Sequence, residues 1–417
     1  MKREELLWSV QVAPTFAAYA KRTSGAEAMR MTAAALLSSG GDEDLAAEVL
    51  THGSAGTPQA LINSESEPKR IVGYGWSAVD AGNRQLGIVS MLLTLRLFMR
   101  GRLAALENKY VSFVNTTGTL GLIPLMVVIM WGTGFVQLEP ALVTLAAAAA
   151  SAPLFLMVYA SMFRDVPFYK LYTFTVGSPA VEFLLSSLFL GGLASLPAAV
   201  LLYLTGGPPS AAFLLWGAVL WTHLKASGRD LWLRPEDAPA FLAGVAGAYK
   251  AGVPLNVEIQ RLAAMYPSMR DLAYGVPRPS ILYTAALALY KAMREAGAAE
   301  EAVEYLRDVI GELRRISGTV TATSLMLALV FAGASVAVST VVHGTVVTLT
   351  EMAAQAGGAL PVSPPDPQLF AATAAQTASL VSALQTAAAF INRSAAKALV
   401  AGGAVGTAVW AAIAVLT

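Results

Sequence analysis

The chain of 417 residues contains no cysteine and only three histidines. Without cysteine there is no disulfide framework, no thiolate nucleophile and no cysteine-ligated metal. His52, His223 and His343 lie far apart and show no HExxH spacing, so the sequence predicts no zinc site. The phosphate-loop pattern GxxxxGK[ST] is also absent, which excludes a nucleotide site of that class. We therefore expect no catalytic residues, no cofactor and no metal.

Charged residues are scarce as well, at 13% of the chain against 56% hydrophobic residues. Two tracts hold almost none of the charge: one runs from about Gly118 to Lys225, and the other runs from Gly318 to the end. A membrane-spanning helix needs about 20 mostly apolar residues, and these tracts reach that length several times. The net charge of +1 gives no indication of a nucleic-acid partner. The composition predicts an all-α, polytopic membrane protein with membrane lipid around it.

The neutral tracts predict about seven spans. Lys and Arg in the connections fall on the side of the N-terminus throughout, which places the N-terminus and both charged lobes in the cytoplasm and the protein as a multi-pass component of the cell membrane. If the sixth span is only a hairpin or an interfacial helix, the C-terminal end changes sides. The predicted spans are Phe113 to Trp131, Leu142 to Met162, Pro179 to Leu204, Ala211 to Leu224, Val320 to Leu349, Phe370 to Ile391, and Ala398 to Leu416.

The charge pattern divides the chain into four predicted domains. Residues 1–112 form a first cytoplasmic helical-bundle lobe and residues 113–225 a first membrane block of about four spans. Residues 226–318 form a second lobe, and residues 319–417 form a second block of about three spans. Within the second lobe we expect helices near 238–251, 256–265, 281–295 and 299–316, with breaks at Gly252 and Gly297. Leu103 and Val303 begin similar apolar patterns at an offset of two hundred residues, a spacing that any bundle helix shows. The order of helical lobe, amphipathic helix and membrane hairpin, which both halves share, is what suggests a duplication.

The segment AYKAGVPLNVEIQRLA, from Ala248 to Ala263, contains a first helix, a Gly-x-Pro-Leu step at Gly252, Pro254 and Leu255, and a second helix. A long helix reading EEAVEYLRDVIGELRRISG then leads toward a neutral tract. In this the sequence resembles the platform proteins of type II secretion, type IV pilus and archaellum assembly, nearest the single-chain archaeal forms. The resemblance implies a duplicated F-type domain plan. The first lobe shows no Gly-x-Pro-Leu step.

The resemblance also implies a function without chemistry of its own. Proteins of that family receive a hexameric secretion ATPase on their cytoplasmic domains and couple its movements to the insertion of prepilin or archaellin-like subunits. They are usually homodimers, so a homodimer is expected here. Which filament is built does not follow from the residues.

Basic residues on the polar faces of the two lobes are the candidate docking site for the ATPase, because such surfaces steer acidic partners. The alternative is that they are solvated bundle faces paired with Glu300, Glu301, Glu304, Asp308 and Glu312. The candidates are Arg96, Arg100, Arg102, Lys109, Arg307, Arg314 and Arg315.

A few polar or small residues within the predicted spans suggest lesser roles. Glu182 is interpreted as an interfacial residue, and Ser339 with His343 as helix-packing residues. Gly402 and Gly406 have GxxxG spacing, which fits a dimer seam and an intramolecular contact equally well. The rival function is a secondary transporter, although such proteins carry charged groups at midplane depth and these spans do not.

Overall fold

The structure is a computed structural model that describes residues 3–120, 237–278 and 280–316, with a few isolated positions beyond them. The chain divides into two compact units. The first contains Met1–Glu107, Asp165–Ser178 and Asp230–Ser317, and the second contains Asn108–Arg164, Pro179–Arg229 and Gly318–Thr417. Nearly all of the described residues belong to the first unit. Its described part is called the helical unit below.

Every regular element of the described residues is a helix, which confirms the all-α expectation. A π-helical turn at Trp8–Val12 joins the first two helices, and a short 3₁₀ turn at Pro267–Met269 follows α9. The helices are α1 (Arg3–Leu7), α2 (Ala13–Ala20), α3 (Gly25–Ser38), α4 (Glu43–Ala55), α5 (Gln59–Ile62), α6 (Glu67–Asp80), α7 (Arg84–Leu120), α8 (Asp237–Ala251), α9 (Leu255–Met265), α10 (Arg270–Ala273), α11 (Ile281–Ala296) and α12 (300–316).

Among the described residues, no helix is both long enough and apolar enough to cross a membrane. The longest is α7, whose 37 residues measure about 55 Å at 1.5 Å per residue. Charged residues recur along α7, so no window of it has the neutrality that a spanning helix needs. These are Arg84, Arg96, Arg100, Arg102, Glu107 and Lys109.

This finding contradicts the predicted fold class of a polytopic membrane protein, together with the predicted multi-pass location in the cell membrane and the topology with cytoplasmic lobes. This correction applies to the described residues only. The seven predicted spans lie outside the three described stretches, except for residues 113–120 of the first span. Glu182, Ser339, His343, Gly402 and Gly406 also lie outside the described residues, and so does His223.

Two helices buried on all sides form the centre of the helical unit. The N-terminal helix, residues 3–20, comprises α1, the π turn and α2, and every residue from Glu5 to Ala20 is buried. Helix α11 is likewise buried around most of its circumference. A helix that is apolar on every face is stable only inside a core. The two run in parallel: Gln11 Nε2 donates to the carbonyl of Ile281 at 3.0 Å, and the Tyr19 hydroxyl donates to Glu295 at 2.7 Å.

The π turn has a local cause in Pro14, which lies about three turns into the buried N-terminal helix. Proline has no N–H, so it cannot donate to the carbonyls four or five residues earlier. The helix widens instead, and the Ala13 amide bonds the carbonyl of Trp8. The freed Ser9 carbonyl accepts a hydrogen bond from the Tyr305 hydroxyl of α12 at 3.0 Å. Burial raises the pKa of Tyr305, so this hydroxyl keeps its proton and remains a donor.

The described parts of both predicted lobes pack together inside the helical unit. Apart from the contacts of the N-terminal helix, Lys21 pairs with Glu301, and the Lys291 amino group donates to the Ser38 hydroxyl at 3.0 Å. The boundaries predicted for the four domains stay a prediction. The helices predicted for the second lobe are confirmed as α8, α9, α11 and α12, each within about two residues.

Candidate docking surface

Helices α7 and α12 lie side by side and run in the same direction. Gln85 Nε2 donates to Glu301 at 2.8 Å, Arg100 Nε to Glu312 at 3.1 Å, and Arg315 to Glu107 at 3.0 Å. The partners advance together along both helices, which is the pattern of a parallel pair. Polar contacts across a parallel helix pair set its register in the way that charges at the edges of a coiled coil do.

Three of the predicted docking residues belong to a row of ion pairs between these helices, called the ladder below. Its pairs are Arg96 with Asp308, Arg100 with Glu312, and Arg315 with Glu107. In each pair the arginine side chain is the more exposed partner, for example 56% for Arg100 against 22% for Glu312. The ladder therefore covers its carboxylates more than its arginines, and Arg100 and Arg315 are the two whose side chains are more than half exposed.

The ionisation of the ladder follows from these contacts. Hydrogen bonds from Arg315, followed by the charges of Arg315 and Arg100, lower the pKa of Glu312 despite its partial burial. The hydrogen bonds to Glu312 and Glu107 raise the pKa of Arg315 above its already high ordinary value. Both shifts favour the charged forms of the two side chains.

The other predicted docking residues are placed differently. Arg307 is 63% exposed, lies 3.2 Å from Glu304, and extends the basic surface on α12. Arg314 follows it two turns later on the same helix. Arg102 instead turns to Glu5 of the N-terminal helix at 3.5 Å and stacks over the Phe98 ring. Lys109 lies within α7, but its side chain is outside the described part of the chain. The structure thus brings together Arg96, Arg100, Arg307 and Arg315, and separates Arg102 from them.

The Gly-x-Pro-Leu step connects α8 to α9 as the sequence predicted. Gly252 has φ of +65°, a left-handed conformation that glycine adopts without strain. Its amide bonds the Tyr249 carbonyl, and the Val253 amide bonds that of Ala248 at 3.0 Å, which is a Schellman termination. Pro254 then precedes the first residue of α9, Leu255, where its fixed φ suits a helix start.

The first lobe contains a similar step that the sequence analysis missed. Helix α4 ends at Gly56, whose φ is +71°, and Pro58 precedes α5. The fourth position of this step is Gln59 instead of leucine. A search for Gly-x-Pro without the leucine would have found it. The step therefore occurs in both predicted lobes, and the second lobe holds another at Gly275-Val276-Pro277, where Gly275 has φ of +73°.

The helix pairs that follow the two steps also correspond. Helix α6 leads through Gly82 into α7, and α11 leads through Gly297 into α12, with positive φ at both glycines. The polar contacts between α7 and α12, including Gln85 with Glu301, join residues 208 to 216 positions apart, and the offset between Gly82 and Gly297 falls inside that range. Residues at corresponding distances after Gly82 and Gly297 therefore lie side by side on α7 and α12. This offset is larger by about four helical turns than the one that pairs Leu103 with Val303.

A second group of charged residues lies at the start of the N-terminal helix, around Glu4 and Trp8. Lys69 contacts both Glu4 and Glu48, and its ammonium lies 5.5 Å from the centre of the Trp8 ring. Trp8 Nε1 donates to Glu48 at 3.3 Å, and His52 lies 3.8 Å from the same carboxylate. This group, called the Lys69 cluster below, ties α1, α4 and α6 together.

The Lys69 cluster shifts the ionisation of its members. Partial burial by itself would raise the pKa of Glu48, but hydrogen bonds from His52, Lys69 and Trp8 outweigh it and lower the pKa to about 2. Burial likewise opposes the charge of Lys69, yet its bonds to Glu4 and Glu48 raise its pKa. Within the described stretches, no three His, Asp or Glu side chains are grouped in a way that could hold a metal ion. The cluster is a structural clamp.

The arrangement on α7 and α12 offers paired arginine side chains on two adjacent helices, with Arg100, Arg307 and Arg315 more than half exposed. Comparison of the chain with protein-family models, with curated proteins and with solved structures finds no match.

Proposed function

We propose that this chain is an assembly component of a type IV pilus-like filament or archaellum machine, and that its helical unit docks a hexameric secretion ATPase. The observation that carries the proposal is the ladder, in which the arginine is the more exposed partner of every pair. The Gly-x-Pro steps at Gly252 and Gly56 support it, because each connects two helices of one predicted lobe, as a duplicated helical plan requires.

Arginines in ion pairs still have the capacity to bind a partner. A guanidinium carries five N–H donors in a fixed fork, and a ladder contact uses one or two of them. Arg100 and Arg307 keep more than half of their side-chain surface in contact with solvent. An acidic partner can therefore add a second carboxylate to each arginine without breaking the ladder.

The parallel pair of α7 and α12 supplies a path for motion. The ladder fixes one helix against the other at several heights, so an axial displacement of either helix carries the other with it. The chain lacks a phosphate loop, so the ATPase supplies the energy. The product of this movement is the handover of prepilin or archaellin-like subunits.

The ladder itself should contribute little to folding, because exposed ion pairs are typically worth less than about 1 kcal/mol. In a double-mutant cycle of Arg100→Ala and Glu312→Ala, we expect a coupling free energy of about 0.2–1 kcal/mol, measured by urea unfolding. A coupling of several kcal/mol would mean that these arginines serve the fold and would weaken the docking proposal.

The docking test uses the purified full-length chain and the secretion ATPase of the same organism. We expect binding, with a change in ATP turnover, that falls at least tenfold when Arg100→Glu and Arg307→Glu are combined. The matched control combines Arg30→Glu and Arg261→Glu, two exposed arginines that also pair with a glutamate three residues earlier, on α3 and α9. Failure of the unaltered chain to bind would overturn the proposal. Equal losses in both double variants would remove the α7–α12 surface as the site.

A further inference from the structure

Helix α7 has an exposed apolar face next to the ladder, formed by Leu86, Val89, Leu93 and Leu97, and called the α7 stripe below. Their exposures are 71%, 40%, 52% and 62%. The spacing of three, four and four residues places all four on one side of the helix, over about 16 Å. Contiguous exposed apolar surface of this kind marks an interaction site more often than isolated exposed leucines do.

The α7 stripe is separate from the face that α7 buries. Ile88, Met91, Leu95, Met99 and Leu103 are at most 2% exposed and form the core side of the helix. At 100° per residue, the stripe lies on the far side of Arg96 and Arg100 from this core face. The stripe therefore borders the ladder, and Gly311 of α12 has no atom within 4 Å of the place where a Cβ would stand. The α7 stripe is thus a shallow apolar surface edged by arginines.

Charge decides between a second copy of this chain and a different partner. From Arg84 to Arg102, α7 carries four arginines and no acidic residue. If two α7 stripes met in parallel, each arginine would face its own equivalent, and like charges in direct opposition are unfavourable. If they met antiparallel with Leu86 opposite Leu97, Arg100 of one copy would lie opposite Asn83 of the other and Arg96 opposite Gly87. Neither orientation brings an acidic residue of α7 to these arginines, whereas an acidic partner does.

We infer that the α7 stripe receives one acidic amphipathic helix, whose apolar residues cover the stripe and whose carboxylates contact Arg96, Arg100 and Arg307. This inference rests on the proposed function, since it names the chemistry of the ATPase element that docks on the helical unit. Helix-in-groove recognition uses this spacing of apolar anchors. The α7 stripe provides affinity, and the arginines select the sign of the partner's charge.

The test uses the full-length chain and two designed peptides of about 18 residues, long enough for the stripe with a turn to spare at each end. Both peptides place leucines along one helical face; one carries glutamates at the edges of that face, and the other carries lysines. We expect the acidic peptide to bind with an affinity that falls as salt is added, and the basic peptide to bind at least tenfold more weakly, both measured by fluorescence anisotropy.

The variant Leu93→Ser combined with Leu97→Ser should weaken the acidic peptide at least tenfold. The control variant combines Val257→Ser and Met265→Ser, which removes exposed apolar groups of 61% and 54% exposure from α9 and should leave the affinity unchanged. Thermal unfolding of both variants checks that they fold. Equal binding of the two peptides, equal effects of the two variants, or self-association of the chain that disappears in the α7 variant would each overturn the inference.

The same variants separate this inference from the proposed function. If the ATPase binds the α7 variant as tightly as the unaltered chain, the inference fails and the ATPase docking stands. If the acidic peptide behaves as expected and the ATPase does not bind at all, the inferred chemistry of the α7 stripe stands and the proposed function fails.

Discussion

At the scale of single residues, the contact between Tyr305 and Ser9 compensates for a missing donor at Pro14. Tyr305→Phe removes the hydroxyl and leaves a buried carbonyl unsatisfied, so we expect a loss of about 1–2 kcal/mol in the free energy of unfolding. In a Pro14→Ala background the restored amide serves this region of the helix, and the cost of Tyr305→Phe should be smaller. A double-mutant cycle in urea measures the difference.

Tyr283→Phe is the control for that cycle. Its hydroxyl also donates to a backbone carbonyl, that of Val276 at 2.9 Å, but this carbonyl lies just before α11 and not in the N-terminal helix. The cost of Tyr283→Phe should be the same with proline or alanine at position 14. If Tyr305→Phe shows the same independence, the explanation of the π turn is wrong.

The Lys69 cluster makes stability depend on acid pH through Glu48. Its pKa is lowered from 4.5 to about 2 in the folded chain, so its contribution is present above pH 4.5 and is lost as the pH falls toward 2. We expect Glu48→Gln to lower the free energy of unfolding by about 1–2 kcal/mol at pH 7, where it leaves Lys69 with Glu4 alone, and by much less near pH 2.

Urea unfolding across this pH range checks the expectation, with the exposed Glu65→Gln as control. The groups that face Glu48 are Trp8, His52 and Lys69, so these must be unchanged in both variants. A difference between Glu48→Gln and the unaltered chain that stays constant down to pH 2 would contradict the assignment.

At the scale of elements, α8 offers two glycines with opposite requirements. Gly252 has φ of +65° and ends the helix, so Gly252→Ala should cost about 1–2 kcal/mol. Gly247 lies within α8, is exposed, and has no atom within 4 Å of a built Cβ, so Gly247→Ala should stabilise by about 0.5–1 kcal/mol. Thermal unfolding of the two variants should give melting temperatures shifted in opposite directions. Shifts of the same sign would refute this account of the Gly-x-Pro-Leu step.

At the scale of the whole helical unit, the two central helices belong to a single core although they are far apart in sequence. Met293 of α11 is fully buried, and Met293→Ala should cost about 2–5 kcal/mol. If the unit unfolds cooperatively, hydrogen exchange in residues 13–20 should accelerate as much as in residues 281–296. Lys250→Ala, at an exposed position, should change neither segment. Acceleration confined to 281–296 would show that the two halves open separately.

The sequence predicted those parts of the unit that local chemistry determines. Gly252, Pro254 and Gly297 marked the ends of α8 and α11 and the start of α9, because caps and turns act within a few residues. The partners of the ladder could not be predicted, since Arg100 meets Glu312 across 212 positions. The stretch from Leu6 to Ala20 contains no charged residue, which is typical of a helix buried on every side and is the signal that could have identified this central helix.

Pro14 has a consequence for the timing of synthesis. The hydroxyl that completes the N-terminal helix belongs to a residue 296 positions after Ser9. At about 5–20 residues per second, the ribosome needs roughly 15–60 s to make that stretch. During this interval a helix that is buried on every side in the folded unit has been made, but the residue that stabilises its widened turn does not yet exist. The newly made protein must keep this helix from aggregating until Tyr305 emerges.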